Sequence, residues 1–200
     1  MRSDARDNRE RILEVARAVF AAEGLDVPMR EIARRAGVGP ATLYRRFPTK
    51  EALVIEAFTE QMSRCTDIVA EGLADPDAWH GFGLVIEKIC ELHARDRGFT
   101  AAFMSAFPRA LDFTAPRARA MAGITELGRR AKATGRLRAD FVPEDLILVL
   151  MANGGIRAAT PAAAVAASRR FAALVIQGFR AAPDTADLPP PARLPLTPVA

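Results

Sequence analysis

Lysine is almost missing from this 200-residue chain. Lys50, Lys88 and Lys132 are the only three among 28 basic residues, so arginine supplies nearly all the positive charge. Cysteine is equally sparse, at Cys65 and Cys90. Two cysteines in a scaffold of this length exclude a disulfide framework and fit reduced thiols in a cytoplasm. Long hydrophobic runs are absent as well. The longest, Leu146–Ala152, is seven residues, against the roughly 18–20 that span a bilayer. No membrane partner is therefore expected. The N-terminus is charged every few residues and lacks an apolar signal core, so export is not expected either. Sustained alternation of branched and polar residues, the mark of strands, is missing. So are the P-loop, GxSxG and HExxH motifs, which argues against an enzyme built on any of them. No cofactor is expected.

Half of the residues are apolar and 26% are charged, the balance of a globular protein. The formal net charge of +4 is unevenly placed. Residues 1–50 hold eleven cations and seven anions, so the remainder of the chain is formally neutral. A basic end on a neutral body favours a polyanionic partner. A merely solvated basic face is the alternative reading of the same charge.

Helical periodicity runs through the chain and predicts about nine helices in an all-α fold. The first spans about Asn8 to Glu23, with Ile12, Ala16, Val19 and Phe20 as its apolar stripe and Gly24 as its stop. Pro28 opens a second helix whose inner face is Met29, Ile32, Ala33 and Ala36. Gly37 permits the left-handed turn that ends it. Gly39 and Pro40 open a third helix, and Pro48 ends it. Thr49 caps a fourth, which runs to about residue 73. Asp77 caps a fifth, reaching about Asp96. The aromatic segment FTAAFMSAF and a loop from Pro108 to Pro116 follow. The next helix carries Ala120, Met121, Ile124, Leu127 and Ala131, and Gly135 stops it. A strongly apolar helix is expected from Pro143 to about Ala158, with a kink or close crossing at Gly154-Gly155. Pro161 starts the last, with Phe171, Leu174, Val175 and Phe179 on one side. The proline-rich residues 183–200 are expected to lack regular structure.

The stretch GVGPATLYRRFPTK, Gly37–Lys50, places a hydroxyl, a phenol and two guanidiniums on one short helix. Leu43 and Phe47 are four apart and share a face that anchors the helix. Val38 serves as the plug of the turn, and Ala33 as the small residue where the two helices meet. This is the pattern of a helix-turn-helix. Pro40, Ala41, Thr42, Tyr44 and Arg45 then face outward. Small residues at the start let the helix enter a major groove closely. Thr42 and Tyr44 can donate to phosphates, and Arg45 can reach a guanine edge or a phosphate. Arg46 is either a contact or a solvated or paired cation. Lys50 lies at the start of the fourth helix, where backbone N–H groups and an ammonium together suit a phosphate.

The stretch IARRAGVGPATLYRRFPTKEAL resembles the DNA-binding domain of TetR-family transcriptional regulators, over about Arg9 to Phe58. The resemblance implies a helix-turn-helix domain at 1–50, with the fourth helix connecting, and a ligand-binding and dimerisation domain at 51–182. It implies a homodimer whose two recognition helices enter successive major grooves of a palindrome-like operator. It also implies repression relieved by a small effector. Five positions depart from the family's common pattern. Val27-Pro28 replace a Ser or Thr cap, Gly39 replaces a Ser, and Pro40-Ala41 replace Lys-Gly, so the base preference does not transfer.

In the second domain, the apolar eighth helix must be buried on several sides. Pairing of the last two helices with a second copy would do this. Phe82, Ile86, Cys90, Phe103, Met104, Phe107, Met121, Ile124 and Met151 would wall a pocket for a mostly hydrophobic effector, and His93, Thr125 and Asn153 would orient it. An ordinary core is the alternative. Cys90 and His93, three apart, also have the spacing of two metal ligands, but a zinc site needs more, and only Cys65 and His80 remain. A DNA-binding architectural or cell-division protein without an effector is the other rival reading.

Overall fold

The computed structural model describes residues 2–104, 114–182 and 188–191. Nine α-helices and no strand occur among the described residues. They are α1 (Arg2–Glu23), α2 (Met29–Arg35), α3 (Pro40–Arg46), α4 (Lys50–Ala74), α5 (Ala78–Arg95), α6 (Arg97–Met104), α7 (Thr114–Ala133), α8 (Pro143–Gly154) and α9 (Pro161–Gly178). The chain divides into two compact units. One is Met1–Met62 with Asp96–Thr114, and the other is Ser63–Arg95 with Ala115–Ala200.

The first unit takes in more chain than the expected domain at 1–50. It includes the first half of α4 and all of α6, because both pack on α1. Ile12, Ala16, Val19 and Phe20 are buried at the stripe expected for α1, and Leu53, Ala57 and Phe58 answer them from α4. The Phe20, Phe58 and Phe99 rings form a chain with centroids 6.2 and 6.1 Å apart. Gly98 lets α6 approach the α1 backbone closely: a methyl group there would lie 2.9 Å from the Ala21 nitrogen and 3.1 Å from the Arg17 oxygen. Asp96 caps α6 by accepting the Phe99 N–H at 2.8 Å.

In the second unit α5 is the central helix, buried at Trp79, Phe82, Val85, Ile86, Ile89, Cys90, Leu92 and His93. Asp77 caps it as expected, accepting the N–H groups of Trp79 and His80 at 2.9 and 3.1 Å. Phe82 stacks on Trp79 at 5.9 Å and meets Phe141 and Phe179 edge-on at 5.1 and 6.1 Å. Thr160 caps α9 through the Ala163 N–H, and Asp145 accepts the Val142 N–H at the start of α8.

Several boundaries differ from expectation. α1 begins at Arg2, not near Asn8. Pro116 falls in the first turn of α7, where a proline sacrifices no intrahelical bond. α8 ends at Gly154 and not near Ala158. There is no kink at Gly154-Gly155, because Gly155 is the C-cap, its N–H reaching the Met151 and Ala152 carbonyls. After α9 the chain pairs with the segment preceding α8: Leu137 and Arg180 form an antiparallel bridge, and the Ala181 N–H donates to the Arg136 carbonyl at 2.9 Å. Leu188, within the tail, donates its N–H to Asp140 at 2.8 Å. The rest of the tail, 183–187 and 192–200, lies outside the described residues.

Candidate nucleic-acid interface

The turn between α2 and α3 is built from backbone bonds that its glycines permit. Gly37 adopts φ 65°, the left-handed region that side chains with a Cβ disfavour. That turn lets the Val38 N–H reach back to the Ala33 carbonyl at 3.0 Å, closing the end of α2. Gly39 is extended, and its carbonyl accepts from Thr42 and Leu43 at 2.9 and 3.1 Å, starting α3. Met29, Ile32, Ala33 and Ala36 are buried, and Val38 is half-buried.

Leu43 and Phe47 are fully buried and fix α3 to the first unit's core. Phe47 is also overlaid by the Arg9 guanidinium, 5.6 Å from its ring centroid, and Arg9 is held in place by Glu56. On the opposite side of α3, Pro40, Ala41, Tyr44 and Arg45 are exposed, and Thr42 and Arg46 are half-buried. Arg45 has no ionic partner among the described residues. The Arg46 Nε is shielded from solvent and meets no hydrogen-bond partner there. The Lys50 ammonium donates to the Leu25 carbonyl at 2.8 Å. It ties the start of α4 to the α1–α2 connection and keeps two further N–H groups for a ligand. Thr49 caps α4 through the Ala52 N–H.

Sequence reasoning missed three participants here. Arg30 is exposed on α2 without a partner among the described residues. Glu31 accepts from both Arg34 and Arg35, and Glu23 also accepts from Arg35. The i, i+3 and i, i+4 spacing of Glu31 to the two arginines was legible, whereas the contribution of Glu23 from another helix was not. The two guanidiniums hold the Glu31 carboxyl down at about 2.

The candidate effector residues are dispersed. Phe82, Ile86, Cys90, His93 and Ile124 are buried in the second unit, and Met121 is half-buried. Met151 is 45% exposed on α8 and walls no interior. Thr125 is exposed and donates to the Met121 carbonyl of its own helix. Asn153 is buried, and its amide donates to the Cys90 carbonyl at 2.9 Å while Ser168 donates to its oxygen at 2.7 Å. These bonds tie α5, α8 and α9 together. Phe103 and Met104 lie on α6 with side chains outside the described residues, as is the whole of Phe107. Burial pushes the Cys65 and Cys90 thiols up to about 12 and His93 down to about 4. Among the described residues no three His, Cys, Asp or Glu side chains gather into a metal-binding group, and no helix is long and apolar enough to cross a membrane.

A buried pair of anchors under an exposed outer row, after a glycine turn, defines a helix-turn-helix. Residues 12–57 match the profile of bacterial regulatory proteins of the tetR family. Over 54 residues the chain is 46% identical to an HTH-type transcriptional regulator of Staphylococcus aureus (strain USA300). That match covers 26% of this chain and only 29% of the curated relative's length. The crystal structure of the TetR transcriptional regulator SCO0520 from Streptomyces coelicolor is 31% identical, covers 86% of this chain and 98% of its own, and superposes with a TM-score of 0.54. The TetR-family regulator PfmR from Thermus thermophilus shares the fold, at 22% identity, 84% and 95% coverage and a TM-score of 0.63. The chain belongs to the TetR family of transcriptional regulators.

Proposed function

We propose that the protein is a sequence-specific repressor that binds a two-fold symmetric operator as a homodimer and is released by a small, mostly hydrophobic effector. The observation behind the DNA reading is the outer row of α3. Pro40 and Ala41 leave the start of the helix slim enough for a major groove. Thr42 and Tyr44 supply hydroxyls for phosphates, and Arg45 supplies a free guanidinium for a guanine edge or a phosphate. Arg46, with its shielded Nε, gains a hydrogen-bond partner when an oxyanion arrives. Lys50 adds an ammonium at the N-terminus of α4. Burial of Leu43 and Phe47 means that none of these side chains is needed to hold the helix in place.

The dimer reading is supported by apolar side chains left uncovered on the last two helices. Leu148 and Met151 on α8 are 47% and 45% exposed, and Leu174 on α9 is 61% exposed. A second copy of the same two helices would cover these side chains. The effector reading rests on family membership, with Ile86, Cys90 and Ile124, buried in the second unit, and the half-buried Met121 as the remaining candidates. Phe82 is already committed to the aromatic cluster with Trp79, Phe141 and Phe179.

The test is selection of sheared genomic DNA by the purified protein at near-physiological salt, followed by sequencing. A two-fold symmetric motif at one or a few promoters is the expected result. Uniform retention without a motif would overturn sequence specificity and point to an architectural protein, and no retention would overturn the DNA reading.

A further inference from the structure

The cations of the first unit are not equally available, because neighbouring carboxylates engage some of them and not others. Arg30, Arg34 and Arg35 all project from α2. Arg34 donates from Nε and Nη2 to the two Glu31 oxygens at 2.8 and 2.7 Å. Arg35 Nε donates to the same carboxylate at 2.7 Å, while its two terminal nitrogens donate to Glu23 at the end of α1. Two guanidiniums thus share two carboxylates, and the cluster is formally neutral. Arg30 and Arg45 are exposed without such a counter-charge among the described residues.

In a helix-turn-helix the first helix crosses the sugar–phosphate backbone while the second reads the groove. An arginine of α2 that reaches this backbone meets phosphates whatever the base sequence. Phosphate contacts supply the sequence-independent part of affinity, each steepening the fall of log affinity with log salt by about 0.9. A guanidinium already gripped by a carboxylate must either leave it or carry that negative charge toward the polyanion. We propose that Glu31 is a specificity-determining residue: by locking Arg34 and Arg35 into a neutral cluster, it suppresses sequence-independent affinity and leaves discrimination to α3. The inference rests on the DNA-binding reading above. Glu31 touches no base in this scheme. It acts through two arginines and is a positioning residue.

The test needs no operator. The full chain is titrated onto a random-sequence duplex of about 30 bp between about 50 and 200 mM salt. Glu31→Gln keeps the side-chain length and the helix but removes the charge. The expected result is tighter binding than wild type and a salt slope steeper by about 0.9 for each phosphate newly engaged. Adding Arg34→Gln to that variant should return the slope toward wild type. A merely structural role for Glu31 predicts the opposite sign, since a loosened α2 weakens binding. Unchanged or weakened binding by Glu31→Gln, at unchanged helical circular dichroism, overturns the inference, and so does a double variant that stays steep. Failure of the wild type to bind any duplex at about 50 mM salt would instead defeat the DNA-binding reading, and the inference with it.

Discussion

Gly81 has no room for a methyl group. A Cβ there would sit 2.3 Å from the Gly72 carbonyl oxygen, and one at Gly72 would sit 2.4 Å from a Val85 methyl. These two glycines set the closeness of α4 and α5 within the second unit. Gly81→Ala must push backbone against backbone, and a destabilisation of about 1–3 kcal/mol is expected, read as a lowered urea midpoint. Gly39 is the contrast: a Cβ meets nothing within 4 Å and its φ is ordinary. Gly39→Ser should change stability by only a few tenths of a kcal/mol. His93 gives the residue scale a second, pH-dependent prediction. Burial favours its neutral form and lowers its pKa from about 6.5 to about 4. The unfolded chain therefore binds more protons than the folded one in that window, and stability falls as pH falls from about 6.5 toward 4. Replacing His93 with Gln should remove that slope in a series of thermal melts. His80 has the opposite sign, since Asp75 raises its pKa. It is exposed and unchanged in the comparison, so the difference between wild type and variant isolates His93. Equal slopes would show that folding leaves the His93 pKa unshifted.

At the scale of elements, helix starts are held by side chains, of which the sequence announced Thr49 and Asp77 but not Thr160. Thr49, Asp77 and Thr160 stand just before proline, apolar or acidic first turns, and each accepts an N–H of the following helix. Asp77 does more than cap, because it also receives Arg136 at 2.7 Å from the segment before α8. Asp77→Ala should lower the melting temperature, and Asp77→Asn should recover most of the capping share but not the ionic one. Equal melting temperatures for the two variants would assign all of the effect to the ion pair. The α5–α8–α9 tie was not legible in the same way. Asn153 looked like a polar group for an effector because it stands alone in an apolar stretch. Its partners are a backbone carbonyl on α5 and a hydroxyl on α9, neither near in sequence. The end of α8 was misplaced for a related reason: periodic apolar residues continue past Gly154, while the helix stops where its carbonyls find the Gly155 N–H.

At the scale of the whole molecule, the uncovered residues of α8 and α9 matter most. A symmetric contact repeats every substitution twice, so a charge placed there meets its own copy. If the last two helices pair as proposed, Leu174→Glu, singly or with Met151→Glu, is expected to convert the dimer to monomer in sedimentation experiments. Operator affinity should then fall steeply, because each half-site is bound alone and the effective concentration supplied by the partner is lost. The circular dichroism spectrum should not change, since both positions are solvent-facing in the single chain. A Leu174→Glu protein that remains dimeric would place the interface elsewhere.

The sequence by itself determined the helical class, the glycine turn and the buried anchors of α3, because these depend on periodicity and on backbone freedom within a few residues. Pro40, Ala41, Tyr44 and Arg45 are exposed as read, for the same reason: a helix with two anchors four apart has only one outward side. Only the tertiary structure decided which charges on that surface are free. Glu23 meets Arg35 across two helices, Lys50 reaches a carbonyl twenty-five residues away, and Arg9 covers Phe47 from α1. Likewise, only packing decided that α6 joins the first unit and that Asn153 serves the core. Such pairings depend on where separate elements come to rest, and nothing in local spacing encodes that.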